Sequence, residues 1–277
     1  MSQTKKHVLG LSGGKDSAAL AVYMSHNYPE LDIEYFFTDT GKELPEVYSY
    51  LDKLEGMLGK DILRLNPNKG FEYWLKQFNN YLPSPQTRWC TRQLKLKPFL
   101  DWIRPMLDEG IEVHSYVAIR SDEPYREGLN SKDENLIVHL PFREDGIDKP
   151  SVEDLLHGSG LGIPEYYSWR SRSGCTFCFY QQKIEWVKLK EFHPEAFKEA
   201  MALEKTAAES GSPFTWSEGE SLAELATPNR VAQIEADHER KKLKVQARLN
   251  KNPLRPQKEL NIDDIYGQAK FCVACHK

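Results

Sequence analysis

Short apolar runs alternate with helix-like segments along the first 140 or so residues of the chain. His7–Leu11, Ile33–Thr38, Ile62–Leu65 and Val113–Ile119 read as buried strands, with Ser17–Asn27, Leu44–Leu58 and Phe71–Phe78 as helices between them. This alternation predicts an α/β fold: a parallel sheet, helices on both faces, and right-handed crossovers. Ligands in such folds sit at the carboxyl ends of the strands. From about Lys149 the pattern becomes mainly helical, which divides the chain into residues 1–148 and 149–277. Ser151–His157 reads as a helix start, and Ile163–Gly174 as an irregular loop rich in aromatic residues and arginine. Ile184–Ala208 reads as helix, broken at His193-Pro194. Thr227 and Pro228 suit the N-cap and first turn of a helix reaching about Asn250. Pro253 and Pro256 then predict an extended tail leading to the last cysteine pair.

Composition adds little to this picture except by exclusion. A chain with 40% hydrophobic and 28% charged residues is an ordinary globular one. Its net charge of −4 leaves nucleic-acid binding to local patches. No run approaches the roughly 18 apolar residues of a membrane span, and Met1–Lys6 lacks the shape of a signal peptide. The expectation is a cytoplasmic protein with no membrane partner. Cysteine usage is more informative. Four of the five cysteines form two C-x-x-C pairs, Cys175/Cys178 and Cys272/Cys275, with Cys90 apart. In a reducing compartment this spacing points to a metal, an iron–sulfur cluster or redox chemistry rather than to disulfides.

Ser12-Gly13-Gly14-Lys15-Asp16-Ser17 joins the first strand to the first helix. The glycines let backbone N–H groups approach an anion, and the helix N-terminus adds a favourable dipole. Ser12 and Ser17 offer hydroxyls, and Lys15 a point charge. The spacing differs from the G-x-x-x-x-G-K-[ST] loop of kinases and GTPases. The hexapeptide resembles the SGGKDS hallmark of the PP-loop ATP pyrophosphatase superfamily, an adenine nucleotide alpha-hydrolase-like fold. The resemblance implies a loop that binds the β,γ-pyrophosphate of ATP. In that chemistry a substrate oxygen attacks the α-phosphorus, and a sulfur or nitrogen nucleophile displaces the resulting adenylate.

Three further stretches are similar to the phosphoadenosine phosphosulfate (PAPS) reductase-like group of that superfamily. They are Phe37–Glu46 around Asp39, Ala118–Arg126 around Arg120, and Ser173–Cys178. The resemblance implies that Asp39 contacts the adenosine side. It also implies that Arg120 offsets charge near the α-phosphate, while Asp16 positions Mg²⁺ or the loop. Read as residues alone, Asp39 could equally cap a loop, and Arg120 with Glu123 could form a structural ion pair. Adenylylsulfate reductases of the group hold a four-iron cluster with a tandem cysteine pair and a later C-x-x-C. Here Trp89-Cys90 replaces the tandem pair, so Cys90, Cys175 and Cys178 would need Cys272 or Cys275 as a fourth ligand. Four-cysteine zinc uses the same ligands.

The chain ends Cys272-Val273-Ala274-Cys275-His276-Lys277, without the Glu-Cys-Gly-Leu-His-like tail of the reductases. Its intact loop is the form used with ATP itself, and Mg²⁺ accompanies ATP. These features resemble the ATP pyrophosphatase of DNA phosphorothioation systems of the Dnd and Ssp type. That likeness implies DNA as acceptor and a cysteine desulfurase as sulfur source. Nine Lys or Arg against three acidic residues in Arg230–Lys258 suit a phosphate-binding face, or equally a solvated helix. Arg88, Arg92, Lys95 and Lys97 add charge around Cys90, where Trp89 could stack on a base. The rival readings are a sulfite-forming PAPS or adenylylsulfate reductase, a tRNA thiolation enzyme, and a nucleotide-sensing subunit.

Overall fold

A computed structural model describes residues 4–66, 69–128, 131, 133–250 and 260–267. In chain order the first elements are β1 (Lys5–Leu11), α1 (Lys15–Asn27), β2 (Ile33–Thr38), α2 (Pro45–Leu58), β3 (Ile62–Leu65) and α3 (Phe71–Gln77). Next come α4 (Trp89–Thr91), a π turn (Arg92–Leu96), α5 (Lys97–Asp108), β4 (Glu112–Tyr116), β5 (Leu136–His139), α6 (Pro141–Glu144) and α7 (Lys149–Gly158). A 3₁₀ turn (Glu165–Ser168) precedes α8 (Lys183–Phe192), α9 (Pro194–Glu209), α10 (Leu222–Leu225), α11 (Pro228–Leu249) and α12 (Ile262–Tyr266). The described chain forms two compact units: residues up to 71 and 89–164 in the first, 72–88 and those from 165 onward in the second.

The first unit is a five-stranded, fully parallel sheet of order β3-β2-β1-β4-β5. Val8, Phe36, Val113 and Leu136 are buried with Phe99, Ile103 and Leu107 of α5 in one apolar cluster. Phe36 and Phe99 stack there with ring centroids 4.9 Å apart. Because strand side chains alternate in direction, His7, Leu9 and Leu11 of β1 lie on the opposite face. The strand order turns outward in both directions from β1 and β4. Such a reversal opens a crevice at the carboxyl ends of the two strands. Two loops leave from that point: Ser12–Gly14 after β1 and Val117–Glu123 after β4. α7 lies beyond the boundary that composition suggests at residue 148, yet it packs along α1 within the first unit. Asp148 starts it, accepting bonds from Ser151 N (3.0 Å) and Ser151 Oγ (2.7 Å).

The second unit is helical. α8 and α9 are separated at His193-Pro194, as the sequence predicts. α11 starts at Pro228 with Thr227 as N-cap, but the Thr227 hydroxyl donates to Glu224 O rather than capping α11.

Three histidines sit together across the neighbouring strands β1, β4 and β5. His7 and His114 are register partners, as are Tyr116 and His139. Rings of His7 and His114 lie 5.0 Å apart, and those of His114 and His139 5.1 Å. His114 Nδ1 is 2.8 Å from His139 Nε2, and His7 Nδ1 is 2.8 Å from the Tyr116 hydroxyl. Burial, then the neighbouring histidines, hold His7 and His139 below the ordinary 6.5; Lys5 also lowers His7, while Asp32 and Glu144 act weakly the other way. A folded pKa below the unfolded one gives stability that is present above pH 6.5 and lost as pH falls through the depressed values. Urea midpoints should therefore drop between about pH 7.5 and about pH 5. His139→Phe should flatten that slope, and an unchanged slope would mean the cluster is not its source.

Candidate active site

The loop after β1 is built to hold its own shape. Gly13 has φ +71, and a Cβ there would lie 2.5 Å from Val47 Cγ1, so both backbone and space demand glycine. Gly14 is the N-cap of α1. Ser17 Oγ accepts from Ser12 N (3.1 Å) and lies 3.1 Å from Ser12 Oγ, while Gly14 N donates to Ser12 Oγ (3.3 Å). The two hydroxyls thus brace the turn, and the thirteen-residue helix behind it directs its positive end toward the strand termini.

Lys15, 1% exposed, places Nζ 3.4 Å from Glu153 Oε1 of α7. Glu153 carries no motif, and only the packing of α7 on α1 reveals it. Asp16 reaches across the crevice: its Oδ1 accepts from Arg120 Nη1 at 2.9 Å. Arg120, 2% exposed, also donates from Nε to Asp122 (2.8 Å) and lies 3.8 Å from Glu123. Glu123 binds Arg126 Nη1 at 2.8 Å, and Arg143 donates to the Glu123 carbonyl at 3.0 Å. Burial alone would lower the Arg120 guanidinium, but Asp16, Asp122 and Glu123 outweigh it and hold it above its ordinary value. Burial pushes Glu123 upward against the pull of Arg120 and Arg126. The Arg120–Glu123 ion pair is present, and it belongs to a larger network that locks the two loops together.

Asp39 follows β2 and caps its own loop, accepting from Gly41 N (2.8 Å) and from the Tyr48 hydroxyl (2.7 Å). Burial and the Asp39 carboxylate raise the Tyr48 phenol. Nearby, buried Glu43 accepts from Thr40 Oγ1 (3.1 Å) and pairs with Lys95 of the π turn at 3.9 Å. Tyr48, and the pairing of Lys95 with Glu43, are features beside the site that only the fold brings into view.

Cys90 lies in the first unit, and Cys175 and Cys178 in the second; all three are half-buried and outside any disulfide. Cys272 and Cys275 lie outside the described residues. Among the described residues no three His, Cys, Asp or Glu side chains gather into a metal site. On α11, Arg230 binds Glu220 at 2.7 and 2.9 Å, Arg240 pairs with Asp237, and Lys241 lies over Tyr266. Lys244 and Arg248 are exposed, whereas Lys251, Arg255 and Lys258 lie outside the described residues. In the loop region Lys97 pairs with Asp101 at 2.8 Å. No described helix is long and apolar enough to cross a membrane.

The glycine-rich loop stands at the switch point of a parallel sheet in an α/β unit. Residues 6–125 match the family described as phosphoadenosine phosphosulfate reductase domain. An uncharacterised protein of Methanocaldococcus jannaschii is 29% identical over 207 residues, covering 70% of this chain and 40% of the relative. The tRNA-specific 2-thiouridylase MnmA of Pseudomonas fluorescens is 24% identical over 218 residues, covering 70% of this chain and 57% of the relative. The chain thus spans less than two thirds of the length of these relatives. Among solved structures, PAPS reductase from Candida auris superimposes with TM-score 0.48 and 15% identity, covering 61% of this chain and 81% of that one. The U34-tRNA thiolase NcsA of Methanococcus maripaludis gives TM-score 0.40 and 13% identity, covering 80% of each chain.

Removing the shared cation of the network leaves buried carboxylates facing each other. Arg120→Met should cost about 3–5 kcal/mol at neutral pH. With Arg120 gone, the carboxylate pKa values rise in the folded state, so the deficit should shrink as pH falls toward about 5. Urea denaturation at both pH values would measure it, and a small, pH-independent loss would show that the network does not brace the fold.

Proposed function

We propose that the protein is an ATP pyrophosphatase that adenylates a substrate oxygen so that sulfur can replace it, with DNA backbone phosphate as the acceptor. The observation that carries this reading is the unaltered Ser12–Ser17 loop at the switch point, joined through Asp16 and Arg120 to the loop after β4. The PAPS reductase-like match and the similarity to a tRNA 2-thiouridylase support an ATP-using sulfur-transfer enzyme.

In this reading the backbone of Gly13 and Gly14, with Ser12, Ser17 and Lys15, holds the β,γ-pyrophosphate. Lys15 turns from Glu153 to the phosphate when ATP arrives. The acceptor oxygen attacks the α-phosphorus, the bond to the β-phosphate breaks, and pyrophosphate leaves with its charge held by Lys15 and the helix terminus. Asp16 keeps the loop in register and is the carboxylate nearest to hand for Mg²⁺. Asp39 sits on the adenosine side, and Arg120 offsets charge near the α-phosphate. A sulfur nucleophile from a cysteine desulfurase then displaces AMP from the activated acceptor. Cys90, Cys175 and Cys178, with Cys272 or Cys275, supply soft thiolate ligands suited to a [4Fe-4S] cluster, with zinc as the alternative. The similarity to MnmA favours a second reading, in which the acceptor is a tRNA base carbonyl.

The test is nucleotide product analysis on anaerobically purified protein, with Mg-ATP and separately with PAPS. AMP and pyrophosphate should form from ATP and fall at least about 100-fold in Lys15→Ala, the scale of losing one charge-stabilising group. Sulfite released from PAPS, with ATP left intact, would make the protein a reductase instead. Co-purifying tRNA would move the acceptor from DNA to RNA.

A further inference from the structure

The turn that carries Cys175 and Cys178 is held by charged groups that no motif singles out. Arg170, 1% exposed, donates from Nη1 to Gly174 O at 3.2 Å and from Nη2 to Cys175 O at 2.9 Å. Its carboxylate contacts are nil: among the described residues none lies within ion-pair distance. On the other flank Glu185, fully buried, accepts from Ser171 N and from Gln182 N (2.6 Å), the second bond being half of the capping box of α8. Gln181 Nε2 donates to Thr176 O at 2.7 Å, and Gln181 N to Cys178 O at 3.0 Å. Every carbonyl from Gly174 to Thr176, and that of Cys178, is therefore committed to a protein donor. Since C=O and the next N–H point in opposite directions across a trans peptide, the N–H groups of Cys175 and Thr176 face away from the guanidinium.

Among the described residues, the buried polar atoms around this turn with no hydrogen-bond partner include Arg170 Nε, Ser171 Oγ and Gln181 Oε1. Two of these three are donors. A buried cation without a carboxylate, its own Nε unmatched and an unmatched Ser171 hydroxyl beside it, is costly unless an anionic group completes the site. Thiolate sulfurs bound to a soft metal are such a group, so the donor set fits one.

We propose that Arg170, with Gln181 and Glu185, is the positioning clamp that presets Cys175 and Cys178 as a two-thiolate chelate, and that Arg170 supplies the charge offsetting the bound thiolates. This rests on the reading of these cysteines as metal ligands. Arg170 is a positioning residue: its planar fork binds two carbonyls at once, which lysine cannot do.

The test uses the full chain, stripped with chelator under anaerobic conditions and titrated with Co²⁺, following the thiolate-to-cobalt charge-transfer absorption. Wild type should bind Co²⁺, and Cys175→Ser should lose that band. Arg170→Met should weaken Co²⁺ binding by about 10–100-fold, the usual range for a group supporting metal ligands. Arg170→Lys should recover part of the affinity, because the charge returns without the fork. Should Arg170→Met fail to fold by circular dichroism, Gln181→Leu carries the same comparison, with a loss of at least about 10-fold expected. Wild type and Cys175→Ser binding alike, or neither binding, would sink the ligand reading and this clamp with it. A wild type that binds through Cys175, with folded Arg170→Met and Gln181→Leu binding equally well, would overturn the clamp alone.

Discussion

The contact between Asp16 and Arg120 is where the two halves of the sheet's switch point meet, and much of the first unit is arranged to permit it. Two charges removed from water are expensive, and their attraction repays that cost only when the remaining donors and acceptors are also satisfied. For Arg120 itself they are: Asp122 and Glu123 take its other nitrogens, and Arg126 and Arg143 in turn bind Glu123. The chain therefore commits its four charged residues from Arg120 to Arg126 to one network, three of them buried and Asp122 at its exposed edge. The benefit is rigidity where the backbone would otherwise be free. The loop after β1 has two glycines, and the loop after β4 has no secondary structure, yet the network fixes one against the other.

The fold is legible in the sequence largely because parallel strands covered on both faces appear as continuous apolar runs. β1, β2 and β3 fall where those runs lie. β4 shows the limit of that signal. The apolar run Val113–Ile119 outlasts the strand, which ends at Tyr116, because Val117, Ala118 and Ile119 are buried as loop rather than as sheet. Hydrophobic periodicity records burial and does not distinguish how the buried backbone is paired. β5 escapes that reading although β3, equally four residues long, does not. The strand order and the packing of α7 on α1 depend on contacts between distant segments, which no local pattern encodes.

At the site the hexapeptide is fully legible, because its chemistry depends on glycines and hydroxyls at fixed spacing. Its environment is not. Glu153 opposes Lys15 from 138 positions away, and Tyr48 shares Asp39 with the loop it caps. Asp39 and Arg120 both hold the loops that carry them. Each follows a strand at the edge of the crevice, and each already serves the loop that presents it. The cysteines divide between the two units and the tail, so their spacing in sequence is a better guide to their chemistry than to their arrangement.

The π turn at Arg92–Leu96 sets a helical phase. It continues the helix that begins with Trp89 and Cys90 into α5, but with one residue more per turn than an α-helix carries. Each residue added to a helix rotates the remainder of that helix by about 100°. The apolar stripe of Phe99, Ile103 and Leu107 is therefore aimed at the sheet independently of the direction taken by Cys90, and Lys95 is turned out of the stripe toward Glu43. Shortening this segment by one residue would restore a regular helix, at the cost of pointing either the thiol or the stripe the wrong way. The irregularity lets one continuous helix serve two masters, the core on one side and the placement of Cys90 on the other.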